Sequence, residues 1–138
     1  MKTIPVRPEL VEGRRFVWFI LCLAVAGCAT VGPAGGKTFD VTVEADFGPA
    51  GKPFVSRVVQ VSPGATPRDA TEKAFPVEKG AVCCDPREVS TIDGVAANPV
   101  TNQWWSVSVN GSKKGVSPYK TRLKPGDVVH WEYKQYGQ

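Results

Sequence analysis

The sequence predicts an α+β fold, a mixed four- to five-stranded sheet with one short helix packed across it. Three observations predict this. Several stretches alternate apolar and polar residues with the period of two that marks a strand with one buried face. One stretch, Thr66–Phe75, opens with a helix-start signal and carries apolar residues at i, i+4 spacing. Gly 14 and Pro 12 in 138 residues supply turns at the density of a β-rich domain.

Thr38–Phe47 is the first strand. Phe39, Val41, Val43, Ala45 and Phe47 share one face, opposite Asp40, Thr42, Glu44 and Asp46. Gly48–Pro53 is a turn, and Phe54–Val61 returns as the second strand of a hairpin, with Val55, Val59 and Val61 facing inward and Arg57 at the edge. Ser62–Ala65 breaks the strand. Thr66 then caps a helix with Pro67 at its first position and Asp69 three residues after the cap. The helix stops at Phe75, before Pro76, with Ala70, Thr71, Ala74 and Phe75 toward the core.

Val77–Pro86 reads as irregular, Arg87–Ile92 as a short third strand closed by Asp93-Gly94, and Val95–Thr101 as a loop. Asn102–Gly111, N-Q-W-W-S-V-S-V-N-G, alternates most cleanly. Trp105, Val107 and Val109 point to the core, while Trp104, Ser106 and Ser108 point to water. Asn110-Gly111 supplies the positive-φ residues of a tight turn. Val116–Leu123 is mixed, with Tyr119 and Leu123 turned inward. Val128–Lys134 is the last strand, with Val129, Trp131 and Tyr133 inside and Val128, His130 and Glu132 outside. Hairpin, helix and later strands in this order form a β-grasp arrangement, and roughly 100 residues suffice to bury its core.

The N-terminus belongs to a different class of segment. Arg14-Arg15 precedes F-V-W-F-I-L-C-L-A-V-A-G-C. The apolar run Phe16–Ala26 is short for a bilayer span, which takes about 20 residues, and has the length of a signal-peptide apolar region. Val25-Ala26-Gly27-Cys28 resembles the bacterial lipobox, an aliphatic residue and two small ones before a cysteine. The resemblance implies cleavage before Cys28 and its lipidation. Ala29 in place of Asp implies the outer rather than the inner membrane, with the protein on the periplasmic side of the bacterial cell envelope. Residues 1–27 are thus the signal peptide, 28–37 a flexible tether rich in Gly and small residues, and 38–138 the folded domain.

The formal charge is +4, but Lys2, Arg7, Arg14 and Arg15 fall within the first fifteen positions and leave with the signal. No basic stripe with interleaved aromatics follows, so no nucleic-acid partner is expected.

From Phe39 to Tyr133 the chain resembles the transcobalamin-like C-terminal domain family. The resemblance rests on V-T-V-E-A-D-F-G at 41–48, A-T-P-R-D-A at 65–70, S-T-I-D-G-V at 90–95, N-Q-W-W-S-V-S-V-N-G at 102–111 and Y-K-T-R-L-K-P-G-D at 119–127. It implies a β-grasp domain that binds a small ligand or a protein partner without catalysing a reaction. In transcobalamin and intrinsic factor a similar domain closes over cobalamin against a helical domain. The expectation here is a chain without that helical half, so cobalamin enters only through the resemblance and no cofactor is expected.

Among the candidate sites, Trp104 with Asn102, Ser106 and Ser108 is the ligand- or partner-binding candidate, since an outward indole beside hydroxyls stacks on a planar or sugar-like group or anchors a partner. An alternative is that neighbouring loops cover Trp104. Cys83-Cys84 is the redox or thiophilic-metal candidate, because a disulfide between neighbours closes a small strained ring. Two ordinary thiols in a loop are the alternative. His130 is the one histidine, and no G-x-S-x-G turn positions a nucleophile for it. No catalytic residue and no metal site is expected. The functional readings are an envelope-tethered binding protein, a thiol-redox or metal-handling protein, or a structural envelope protein.

Overall fold

The computed structural model describes residues 36–80 and 85–137. The expected signal peptide, Cys28, most of the expected tether and the Cys83–Cys84 pair lie outside the described residues. The elements run β1 (Phe39–Asp46), β2 (Val55–Val61), α1 (Pro67–Ala74), β3 (Val77–Lys79), β4 (Val89–Ile92), β5 (Val95–Ala96), β6 (Gln103–Val109) and β7 (Val128–Gln135).

The main sheet is mixed and four-stranded, in the order β2-β1-β7-β6. β1 pairs antiparallel with β2 and parallel with β7, and β7 pairs antiparallel with β6. β1 is central because its alternation is complete. Val41, Val43, Ala45 and Phe47 are buried, and the residues between them face the other side. Val129, Trp131 and Tyr133 of β7 are buried beside them. Each such aliphatic or aromatic side chain contributes about 1.5–3 kcal/mol on leaving water.

Helix α1 packs on the inner face of β2 and β1. Its start is the predicted one. The Thr66 side chain accepts from the Asp69 backbone N–H, and the Asp69 carboxylate accepts from the Thr66 backbone N–H at 2.9 Å, a reciprocal cap that satisfies two otherwise orphaned donors. Burial pushes the Asp69 carboxyl up, but the hydrogen bonds from Thr66 outweigh it and leave the group below its usual value. Ala70, Thr71, Ala74 and Phe75 are buried, as their spacing predicts. The Thr71 hydroxyl donates to the Pro67 carbonyl at 2.7 Å and accepts the Trp131 indole N–H at 2.8 Å, joining helix to sheet.

The expected third strand forms as β4 but does not join the main sheet. Positive φ at Asp93 (49°) and Gly94 (79°) turns the chain tightly, so β4 pairs with β5 on one side and β3 on the other. With both edges of β4 occupied locally, a separate three-stranded sheet results. β3 and β5 lie in the stretches read as irregular and as loop, since two or three residues are too few to show alternation. Lys52 ties the two sheets. Its ammonium bonds the Asp93 carbonyl at 2.6 Å and carboxylate at 2.5 Å, and lies 4.8 Å from the centre of the Phe47 ring.

The two edges of the main sheet differ. Along β2, the Lys73 ammonium donates to the Gln60 carbonyl at 2.7 Å. The Arg57 guanidinium donates to the Ala74 carbonyl and covers the Phe75 ring at 4.7 Å. Charged side chains so placed discourage a further strand from adding. No comparable guard stands along β6 among the described residues. No helix among them is long and apolar enough to cross a membrane.

Candidate functional site

The site lies on the half of the main sheet that α1 does not cover. Eight residues cover the β2–β1 half of the inner face and leave the β7–β6 half to the small sheet. The two do not close completely. Between them lies a groove of about 310 Å³, lined chiefly by Glu88, Val89, Trp105, Val107, Pro118 and Trp131. Ala97 and one side of Trp104 complete it.

Trp105 forms its floor. The indole packs edge-on against Phe47 at 5.5 Å and against Tyr133 at 5.0 Å, and its N–H donates to the Val95 carbonyl at 2.9 Å. The Tyr133 hydroxyl donates to the Ala96 carbonyl at 2.9 Å. The aromatic wall is thus fixed by hydrogen bonds to β5, and burial pushes the Tyr133 phenol above its ordinary pKa.

The mouth is polar. Arg87 grips Asp85 with Nε and a terminal nitrogen at 2.9 and 2.7 Å, and the Tyr119 hydroxyl donates to Asp85 at 2.8 Å. The guanidinium of Arg87 lies 4.4 Å from the centre of the Tyr119 ring. Arg87 first, then Tyr119, holds the Asp85 carboxyl well below the usual carboxylate range, and the bond to Asp85 pushes the Tyr119 phenol up. Tyr119, expected in the core, is only half-buried, and its hydroxyl and ring both have charged partners. Glu88 beside it has no ion-pair partner among the described residues.

The predicted outer-face cluster is only partly assembled. Asn102, at φ 51°, donates to the Tyr136 carbonyl at 2.6 Å and accepts the Trp104 indole N–H at 2.6 Å. Trp104 is therefore half-buried and its N–H is in use, not an indole free to water. Ser108, expected on the wet side, is 4% exposed, opposite His130 in the register. Alternation correctly separates the two faces of β6 but does not show which face is covered. Ser106 lies opposite Glu132. Lys134 and Lys113 hold Glu132 at 2.7 and 2.9 Å and draw its carboxyl down to about 2.

His130 meets Glu44 through Nδ1 at 3.1 Å, and the Phe54 ring stacks on it at 6.3 Å. No three or more His, Cys, Asp or Glu side chains converge among the described residues. Sequence reasoning missed Glu88 and Val89, on the expected short third strand, and Ala97 and Pro118, on stretches read as loop and as mixed. Val107 and Trp131 were legible as inward residues, but not as lining of a groove.

A single short helix on a mixed sheet, with a groove between β6 and the small sheet, places the protein among β-grasp folds. The chain belongs to the family described as Domain of unknown function (DUF4430), whose model matches residues 64–135. Two solved structures show the same fold. Haptocorrin in complex with Cbi matches with a TM-score of 0.59 and 15% identity, over 76% of this chain and 27% of that chain. A "putative metal binding protein" from Ruminococcus gnavus ATCC 29149 matches with a TM-score of 0.50 and 20% identity, over 72% of this chain and 99% of that chain. The chain spans about a quarter of haptocorrin's length (27%), and at fold level that match agrees with the transcobalamin-like resemblance drawn from the motifs. No match is found among curated proteins.

Proposed function

We propose that this chain is a non-catalytic binding module, held by a lipid on Cys28 to the periplasmic side of a bacterial envelope membrane, and that it takes a small, largely apolar ligand or segment in the groove beside Trp105. The groove carries the reading. It is concave, walled by Trp105, Val107, Val89, Pro118 and Trp131, and its aromatic side is held in place by bonds from Trp105 and Tyr133 to β5. Apolar concavities with a few placed polar groups are where small ligands bind. Supporting the anchor are the apolar run Phe16–Ala26, the small residues before Cys28 and the short tether after it.

The groove is tested with an apolar naphthalene-sulfonate fluorophore titrated into the full chain while tryptophan emission is followed. Val107→Asp places a carboxylate in the wall and is expected to weaken binding about tenfold or more. Ser106→Asp, on the opposite face, is expected to leave it unchanged. Equal loss in both variants, or saturable binding in neither them nor the parent, would overturn the assignment.

A further inference from the structure

The direction of the backbone along β6 carries an inference that rests on the groove reading and names its occupant. The Asn102 carbonyl accepts from the Tyr136 N–H, and the Asn110 N–H donates to the Val128 carbonyl. Even-numbered residues of β6 therefore direct their backbone groups toward β7. The odd-numbered ones direct theirs away. Gln103 exchanges both of its bonds with Asn98, and Val109 both of its bonds with Ser112. Between them, the N–H and C=O of Trp105 and Val107 have no partner among the described residues.

Four unpaired backbone groups thus line up along the groove, between two positions where the chain satisfies its own edge. Such a row is a template for another strand. The opening runs from Trp105 to Val107, about 10 Å or three residues of extended chain. Residues added opposite Trp105 and Val107 would point their side chains to the same face as those two, which is the face of the groove. The residue between them would point outward beside Ser106. The Glu88 carboxylate on the groove wall, without an ion-pair partner among the described residues, favours a cation at one end of the added segment.

We propose that the occupant is a short extended peptide from another protein, apolar at alternate positions and flanked by a basic residue, which adds antiparallel to β6 at Trp105–Val107. Its backbone supplies the four missing bonds, its two apolar side chains fill the groove, and its cation faces Glu88. The opposite edge, along β2, carries Lys73 and Arg57 and does not serve.

The test uses the unaltered full chain and two synthetic probes. One is a capped lysine–valine–threonine–valine–lysine peptide; the other is the same peptide N-methylated at both valines. N-methylation leaves the apolar side chains but removes the two donors that face Trp105 and Val107. The parent peptide is expected to shift tryptophan emission saturably, and the methylated one to bind about tenfold more weakly or worse, the loss set by two backbone hydrogen bonds. Glu88→Gln is expected to weaken the lysine peptide and not a norleucine-flanked one.

Equal binding of both peptides, or binding of the fluorophore but of neither peptide, would overturn strand addition and leave the groove reading standing. Failure of the fluorophore and both peptides removes the groove reading as well. Self-association that protects the Trp105 and Val107 amides from exchange would assign the edge to a second copy and overturn the proposal.

Discussion

Thr71 holds two hydrogen bonds on one buried hydroxyl, to Pro67 in its own helix and to the indole of Trp131 across the core. Valine has nearly the same shape and neither bond. Thr71→Val is therefore expected to leave the Trp131 N–H buried without an acceptor, and to lower stability by about 1–3 kcal/mol. Urea unfolding checks this, with a lower midpoint at unchanged slope as the expected result. The spacing of Ala70, Thr71 and Ala74 shows from sequence alone that Thr71 faces inward. The partner sixty positions away (71 to 131) is set by the fold, so no local pattern reveals it. Trp104 shows the same boundary of legibility. Alternation places it opposite Trp105, but the positive φ of Asn102 and the bond that results decide that its indole N–H is not free.

At the scale of elements, the strands with full alternation and the capped helix were legible in the sequence, and the two- and three-residue strands of the small sheet were not. Periodicity needs several residues to show, and β3, β4 and β5 are held by turn geometry and mutual pairing instead. The exit from β1 illustrates what a turn residue does. Gly48 adopts φ 37°, and a Cβ built there would run into the Tyr133 backbone carbonyl. Its N–H donates to the Asp46 side chain at 3.0 Å and fixes the turn that leads to Lys52. Gly48→Ala is expected to cost about 2 kcal/mol or more, from the left-handed backbone and the collision together. Thermal unfolding of the variant beside Gly51→Ala is the measurement. Gly51 also has positive φ (71°) but open space around it, so its loss should be the smaller.

At the scale of the whole molecule, the order hairpin, helix, strands was readable from the sequence. The groove was not, because its walls come from residues far apart in the chain, Val89, Trp105, Val107, Pro118 and Trp131, which only the tertiary arrangement brings together. The proposed anchor is also a whole-molecule property. Intact mass of protein from its own host's membranes is expected to match Cys28–Gln138 plus acyl chains, and Cys28→Ser is expected to abolish that mass and release the protein from the membrane fraction. An acyl-free mass for the parent would overturn the anchor.

The asymmetry between β2 and β6 also sets stoichiometry. Growth of a fibre by edge addition needs two receptive edges on every subunit, one to accept and one to offer. Here Lys73 and Arg57 stand along one of them. A molecule with a single receptive edge terminates any array at its first addition. However concentrated such chains become, the complexes they form through this sheet stop at pairs.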